Sequence, residues 1–152
     1  MQIIGFNFTK ITSEKSPDYQ HSTINTDIKF TNVEKESVEM LKDAEAIKLS
    51  FTFSINYEEP QDKDKKSKKK PKKYGSVDFA GQIILSATEQ EAKDFEDSWK
   101  EKQVPKSSVV PLYNFLLKKC STRALQLEED LNLPPHIPFP QVSFDQNQQQ
   151  NQ

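Results

Sequence analysis

The chain has 152 residues, a formal net charge of −2 and 34% hydrophobic residues, with a mean hydropathy of −0.82. That length suits one domain, and its few apolar residues have to be concentrated in a handful of elements. No apolar run reaches the roughly 20 residues of a membrane span, the N-terminus lacks a signal-peptide layout, the single cysteine excludes an internal disulfide or a cysteine-based zinc site, and three glycines are too few for a phosphate cradle.

The first element is QIIGFNFTKI, where Ile4, Phe6 and Phe8 alternate with Ile3, Gly5 and Asn7. A two-residue period predicts a strand with one buried face. SPDYQHS breaks it. A second alternation follows, with Ile24, Ile28 and Phe30 opposite Asn25, Asp27 and Lys29. In AIKLSFTFSINY, Ile47, Leu49, Phe51, Phe53, Ile55 and Tyr57 share one face, and Lys48, Ser50, Thr52, Ser54 and Asn56 the other. One wet face implies an antiparallel sheet. YGSVDFAGQIILS repeats the pattern with Val77, Phe79, Ile83 and Leu85, and Gly81 interrupts that face at a bulge or close contact. The last two strands, joined by one polar stretch, read as a hairpin carrying a long insertion.

From Thr88 the period changes to that of a helix. Thr88 and Glu91 form a T-x-x-E capping box, and Ala92, Phe95 and Trp99 recur at helical spacing before Val104-Pro105. Ser107 or Ser108 is positioned to cap the next helix, with Pro111 in its first turn. Val109, Leu112, Tyr113, Leu116, Cys120, Ala124, Leu127 and Leu131 mark one face, which Val110, Phe115, Leu117 and Leu125 widen. A helix so broadly apolar is buried on more than one side, and a second subunit is the expected cover. Strands followed by helices predict an α+β fold: a four-stranded antiparallel sheet with two helices on one face.

Two stretches are expected to be disordered: the insertion at residues 58–73, and DQNQQQNQ at residues 145–152, which has no apolar residue. Residues 1–144 are expected to form a single domain. Asp62 to Lys73 holds eight lysines and two aspartates, a local charge of +6 that leaves −8 for the rest. Lys65, Lys66, Lys68, Lys69, Lys70, Lys72 and Lys73 read first as a solubilising loop. The alternative is a non-enzymatic adaptor or nucleic-acid-associated module acting through Lys63–Lys73. Against it, the run lacks the aromatics that stack bases and the arginines that contact them in pairs.

No catalytic constellation is visible, so no enzyme, cofactor or metal is expected. His21 lies in a polar loop. His136 sits between prolines with no nucleophile or carboxylate beside it, and reads as a surface or packing residue. Cys120 reads as a buried structural thiol. Glu34, Glu36 and Glu39, and Glu128, Glu129 and Asp130, read as solvated faces.

After the long helix comes NLPPHIPFPQVSF. Its four prolines hold the backbone extended and strip it of donors, yet it carries Leu133, Ile137, Phe139, Val142 and Phe144. Such a ribbon is poor at joining a sheet and suited to lying across apolar surface. In this order and in these segments, IILSATEQEAKDFEDSWK, PLYNFLLKKCSTRALQL and LPPHIPFPQVSF, the chain resembles the SecB family of protein-export chaperones. The resemblance covers most of Ile47 to Phe144, and it is closer to archaeal or divergent SecB-like proteins than to the bacterial export chaperone. Its motifs are diffuse.

The resemblance implies assembly into dimers and tetramers, and ATP-independent holding of unfolded or pre-secretory chains; the expected location, from the lack of an apolar span and of a signal-peptide layout, is cytoplasmic. By its match to the family's crossover segment it points to Ile137, Phe139, Val142 and Phe144 as client contacts, with Tyr113 and Phe115 as secondary candidates that core packing explains equally well. A chaperone dedicated to one client, such as an antitoxin, fits the same fold. The chain departs from the family in three places. DQNQQQNQ stands where the family has a further groove-lining helix, the contact with the SecA translocase motor has no counterpart, and the lysine insertion is foreign.

Overall fold

The computed structural model of the chain describes residues 1–36, 44–61 and 70–144. Four strands come first: β1 (Gln2–Lys15), β2 (Thr23–Glu36), β3 (Glu45–Glu58) and β4 (Lys73–Ala87). Two helices follow, α1 (Glu89–Trp99) and α2 (Lys106–Asp130). The strands form one sheet in the order β1-β4-β3-β2, with every neighbouring pair antiparallel. This is the expected α+β arrangement, with both helices sharing a core with one face of the sheet.

β3 is the centre of that core. Ile47, Leu49, Phe51, Phe53, Ile55 and Tyr57 are all at most 2% exposed, and β4 faces them with Val77, Phe79, Ile83 and Leu85. Burial of side chains of this size stabilises by about 1.5–3 kcal/mol each. The central hairpin therefore supplies most of the hydrophobic free energy. Its partner rows on β2 and β1 are only half-buried, because both are edge strands.

β1 departs from the simple alternation. Its register against β4 slips between Ile3 and Gly5 and again between Phe8 and Lys10. The first slip turns Ile3 toward the core and leaves Ile4 47% exposed. The buried set is thus Ile3, Phe6 and Phe8, in place of Ile4, Phe6 and Phe8. A bulge inserts one residue and inverts the facing of everything on one side of it.

The second slip lies opposite Gly81, which pairs with Phe8. A Cβ built on Gly81 would stand 2.4 Å from the Asn7 carbonyl oxygen and 2.8 Å from Phe51 Cζ. The missing side chain lets the Phe51 ring lie over the backbone and lets β1 bulge inward. Both readings of this glycine hold together.

Thr88 caps α1 as its pattern predicts, its hydroxyl accepting the Glu91 amide at 3.2 Å. The Glu91 carboxylate meets the Met1 amino group at 2.7 Å. That amine, acting against burial and aided by the Thr88 contacts, holds the carboxyl below its usual range. α2 begins earlier than expected. Pro105 occupies the cap position with no side-chain cap bond, and Pro111 falls in the second turn. Ser108 is buried rather than capping, its amide bonded to the Pro105 carbonyl at 2.9 Å. In the second turn Pro111 costs the helix the bond to the Ser107 carbonyl, which its exposed position leaves to water.

Along α2, Ser108, Leu112, Leu116, Cys120, Ala124 and Glu128 are buried, a row at every fourth residue that faces the sheet. Val110 and Leu117 stay 64% and 40% exposed. The helix closes on a Schellman motif: the Leu133 amide bonds the Glu128 carbonyl at 2.8 Å and the Asn132 amide the Glu129 carbonyl at 3.2 Å. Asn132 takes a φ of 54°, and Leu133, 5% exposed, belongs to the core rather than to the ribbon.

Candidate functional site

The Schellman turn brings the chain back onto α2 at His136. The root of this ribbon is tied down. Tyr57 donates its hydroxyl to the Pro134 carbonyl at 2.5 Å, reaching across from β3. Burial, with the Glu128 carboxylate close by, pushes that hydroxyl well above its ordinary pKa range, so it remains a donor.

Glu128 and His136 come next. Both side chains are 2% exposed, and Glu128 Oε1 lies 2.6 Å from His136 Nδ1. The other carboxylate oxygen accepts the His136 amide at 3.3 Å. His136 Nε2 lies 3.0 Å from Ser121 Oγ, and the ring stands edge-on to Phe53 at 6.3 Å. Glu128 is therefore not on a solvated face, and His136 does have a carboxylate, supplied eight residues upstream by the helix C-terminus. The one clue in the sequence was spacing: Ser121 and Glu128 are seven apart, two helical turns on one face.

Ser121, His136 and Glu128 follow the hydroxyl–imidazole–carboxylate order of acyl-transfer triads. Such a site also needs amide donors converging where an oxyanion forms. Ser121 lies well inside α2, where helical amides are spent on i−4 carbonyls. The arrangement is built to hold a segment, with each polar atom answered by another.

Beyond His136 the ribbon opens out. Ile137 is 39% exposed, Phe139 56%, Val142 102% and Phe144 96%. The four candidate client contacts thus lie together on one accessible segment. Tyr113 and Phe115 are not brought to it. Phe115 packs edge-on against Phe6 at 5.5 Å on the β1 side. Tyr113 lies against Phe30 at 5.5 Å on the β2 side, where it lines an open groove of about 440 Å³ with Ile28, Phe30 and Val109. Lys29, Lys102 and Lys106 also line that groove, which sequence reasoning missed because its walls come from three separate segments.

Of the basic loop, Lys70, Lys72 and Lys73 are described and exposed, whereas Lys65, Lys66, Lys68 and Lys69 lie outside the described residues, as do residues 145–152 and Glu39. Lys72 is paired with Asp18, and that hydrogen bond, with a second from Ser16, holds the Asp18 carboxyl down at about 2. Cys120 is buried as expected, and burial pushes its thiol up to about 12. Among the described residues, no helix is long and apolar enough to cross a membrane.

No family model matches the chain, and no curated protein matches it. A solved structure of a SecB-like chaperone from Mycobacterium tuberculosis, in complex with a ChAD peptide from an antitoxin, is similar at a TM-score of 0.45 and 14% identity. The match covers 95% of this chain and 91% of that one. At that identity and TM-score the likeness assigns this chain neither an activity nor a partner.

Proposed function

We propose that the chain, as a single domain over residues 1–144, is an ATP-independent holdase that binds unfolded or pre-secretory polypeptides through apolar surface. The observation that carries this reading is the ribbon. Its root is fixed by buried hydrogen bonds while Phe139, Val142 and Phe144 are more than half exposed. Large apolar groups left in water are costly unless something covers them. An extended foreign segment suits a ribbon poor in donors, because the contact is through side chains and so tolerates many sequences.

The groove at Tyr113 is a second, separate apolar surface. It lies about 20 Å along α2 from Glu128, a span of six or seven extended residues. One client segment could touch both. Assembly into a dimer or tetramer is part of the proposal, since Val110 and Leu117 leave an apolar strip on the outer side of α2.

The test is suppression of aggregation of a chemically denatured client, without nucleotide, at several-fold molar excess of the chain. Suppression is expected, and Phe139→Ser with Phe144→Ser is expected to weaken it at least ~10-fold, since each ring contributes about 2 kcal/mol when covered. Full aggregation in the presence of the wild-type chain would sink the reading. Light scattering gives the oligomer, and a strict monomer would leave the outer strip of α2 unexplained.

A further inference from the structure

We propose that Glu128 and His136 form a latch that holds the ribbon in its client-presenting position, with His136 a positioning residue; this rests on reading the ribbon as the client surface. Four contacts fasten the segment between Leu133 and Ile137. They are the Tyr57 hydroxyl on the Pro134 carbonyl at 2.5 Å and the Glu128 carboxylate on the imidazole at 2.6 Å. The same carboxylate also takes the His136 amide at 3.3 Å, and Ser121 closes the far ring nitrogen at 3.0 Å. Among the described residues, no further hydrogen bond ties down the chain from Ile137 to Phe144. The apolar residues beyond are therefore steered from this root.

The two Glu128 contacts behave as a set. A carboxylate left at this depth without its imidazole is strongly disfavoured, so loss of one partner releases the other to water. A half-open ribbon would leave Glu128, 1% exposed, without the two donors that His136 supplies. The ribbon is either docked whole or released whole. In the released state Phe139, Val142 and Phe144 move on a flexible arm, and a client then pays the ordering entropy that the latch otherwise removes in advance.

The two ring nitrogens face different partners, and this separates a latch from simple packing. His136→Asn places an amide N–H near Nδ1, within reach of Glu128. His136→Gln places one near Nε2, toward Ser121. Both lose the ring and its contact with Phe53. Hydrogen exchange of residues 132–144 in the full chain, read alongside client suppression, tests the idea. His136→Asn should keep the amides of Leu133 and His136 protected. His136→Gln and Glu128→Leu should raise their exchange about 10- to 100-fold, the scale of one lost charge-assisted hydrogen bond, with β3 and β4 protection unchanged. Thr122→Ala, an exposed α2 neighbour bonded only to the Lys118 carbonyl of its own helix and outside the latch, should resemble the wild type and serves as the control for the fold.

Equal protection in His136→Asn and His136→Gln, at any level, would overturn the latch. Raised exchange in His136→Gln with client suppression falling in step supports both ideas. Raised exchange with client suppression unchanged supports the latch and overturns the ribbon as the client surface.

Discussion

Gly81→Ala is the sharpest test of the packing. The added Cβ would sit 2.4 Å from the Asn7 carbonyl oxygen and 2.8 and 2.9 Å from two carbons of the Phe51 ring, whereas ordinary contact begins at 3.4 Å. The carbonyl belongs to backbone, so β1 has to retreat by about 1 Å at its bulge, and Phe51, itself 1% exposed, has no empty space to enter. Overpacking of this kind costs about 1–3 kcal/mol, and a strained ladder bond adds about 1 kcal/mol. The entropy lost by the unfolded chain on replacing glycine returns about 0.4–1 kcal/mol. The net expectation is a loss of about 2 kcal/mol, or a fall in Tm of roughly 4–8 °C for a domain of this size. Thermal and urea unfolding followed by circular dichroism measure it, with Gly5→Ala as the control. There the new Cβ meets only the Ile84 side chain, at 3.2 and 3.3 Å, which can yield, so a change within ~1 kcal/mol is expected. Equal stability of the two variants would refute the close-approach argument.

Two helix ends use the left-handed region without glycine, Lys102 at φ 58° and Asn132 at φ 54°; Lys102→Gly should raise the urea midpoint by the equivalent of about 1 kcal/mol, and Asn132→Ala should lower it similarly. Thr88→Ala removes the cap on the Glu91 amide and should cost about 1 kcal/mol. With its thiol pushed up to about 12, Cys120 is only about one part in 10⁴ thiolate at pH 8. A maleimide or disulfide reagent should therefore label it no faster than the chain unfolds, and rapid stoichiometric labelling of the native protein would contradict its burial. Tyr57→Phe deletes the bond to Pro134 and should cost about 1 kcal/mol, read by chemical denaturation, with faster exchange at Leu133.

The sheet was legible because its signal is local. β3 alternates without interruption, and each inward residue is buried. β1 was misread only where a bulge intervenes, and a bulge leaves no trace in a two-residue period. The start of α2 was placed late because serine is a better cap than proline by propensity, while the turn at Pro105 was fixed by packing of Val104, 7% exposed. Glu128 reads from sequence as solvated and His136 as a surface or packing residue, because burial of a charged or polar group depends on a partner. That partner becomes visible only once the Schellman turn reverses the chain. The ribbon itself was readable from its prolines, since they forbid regular structure whatever surrounds them.

The strand order β1-β4-β3-β2 places two strands that are consecutive in sequence at opposite edges of the sheet. Gln2 pairs with Ser86, and Lys15 with Gly75. Synthesis from the N-terminus therefore produces β1 long before β4, its one partner among the described residues, while β3 and β4 can zip together as a hairpin as soon as both have emerged. Long-range pairing of this kind slows folding and leaves strand edges unsatisfied in the meantime. Phe6 and Phe8 wait through that interval without cover. Until β4 is made, the nascent chain thus carries an exposed apolar segment of the sort its finished form is proposed to hold.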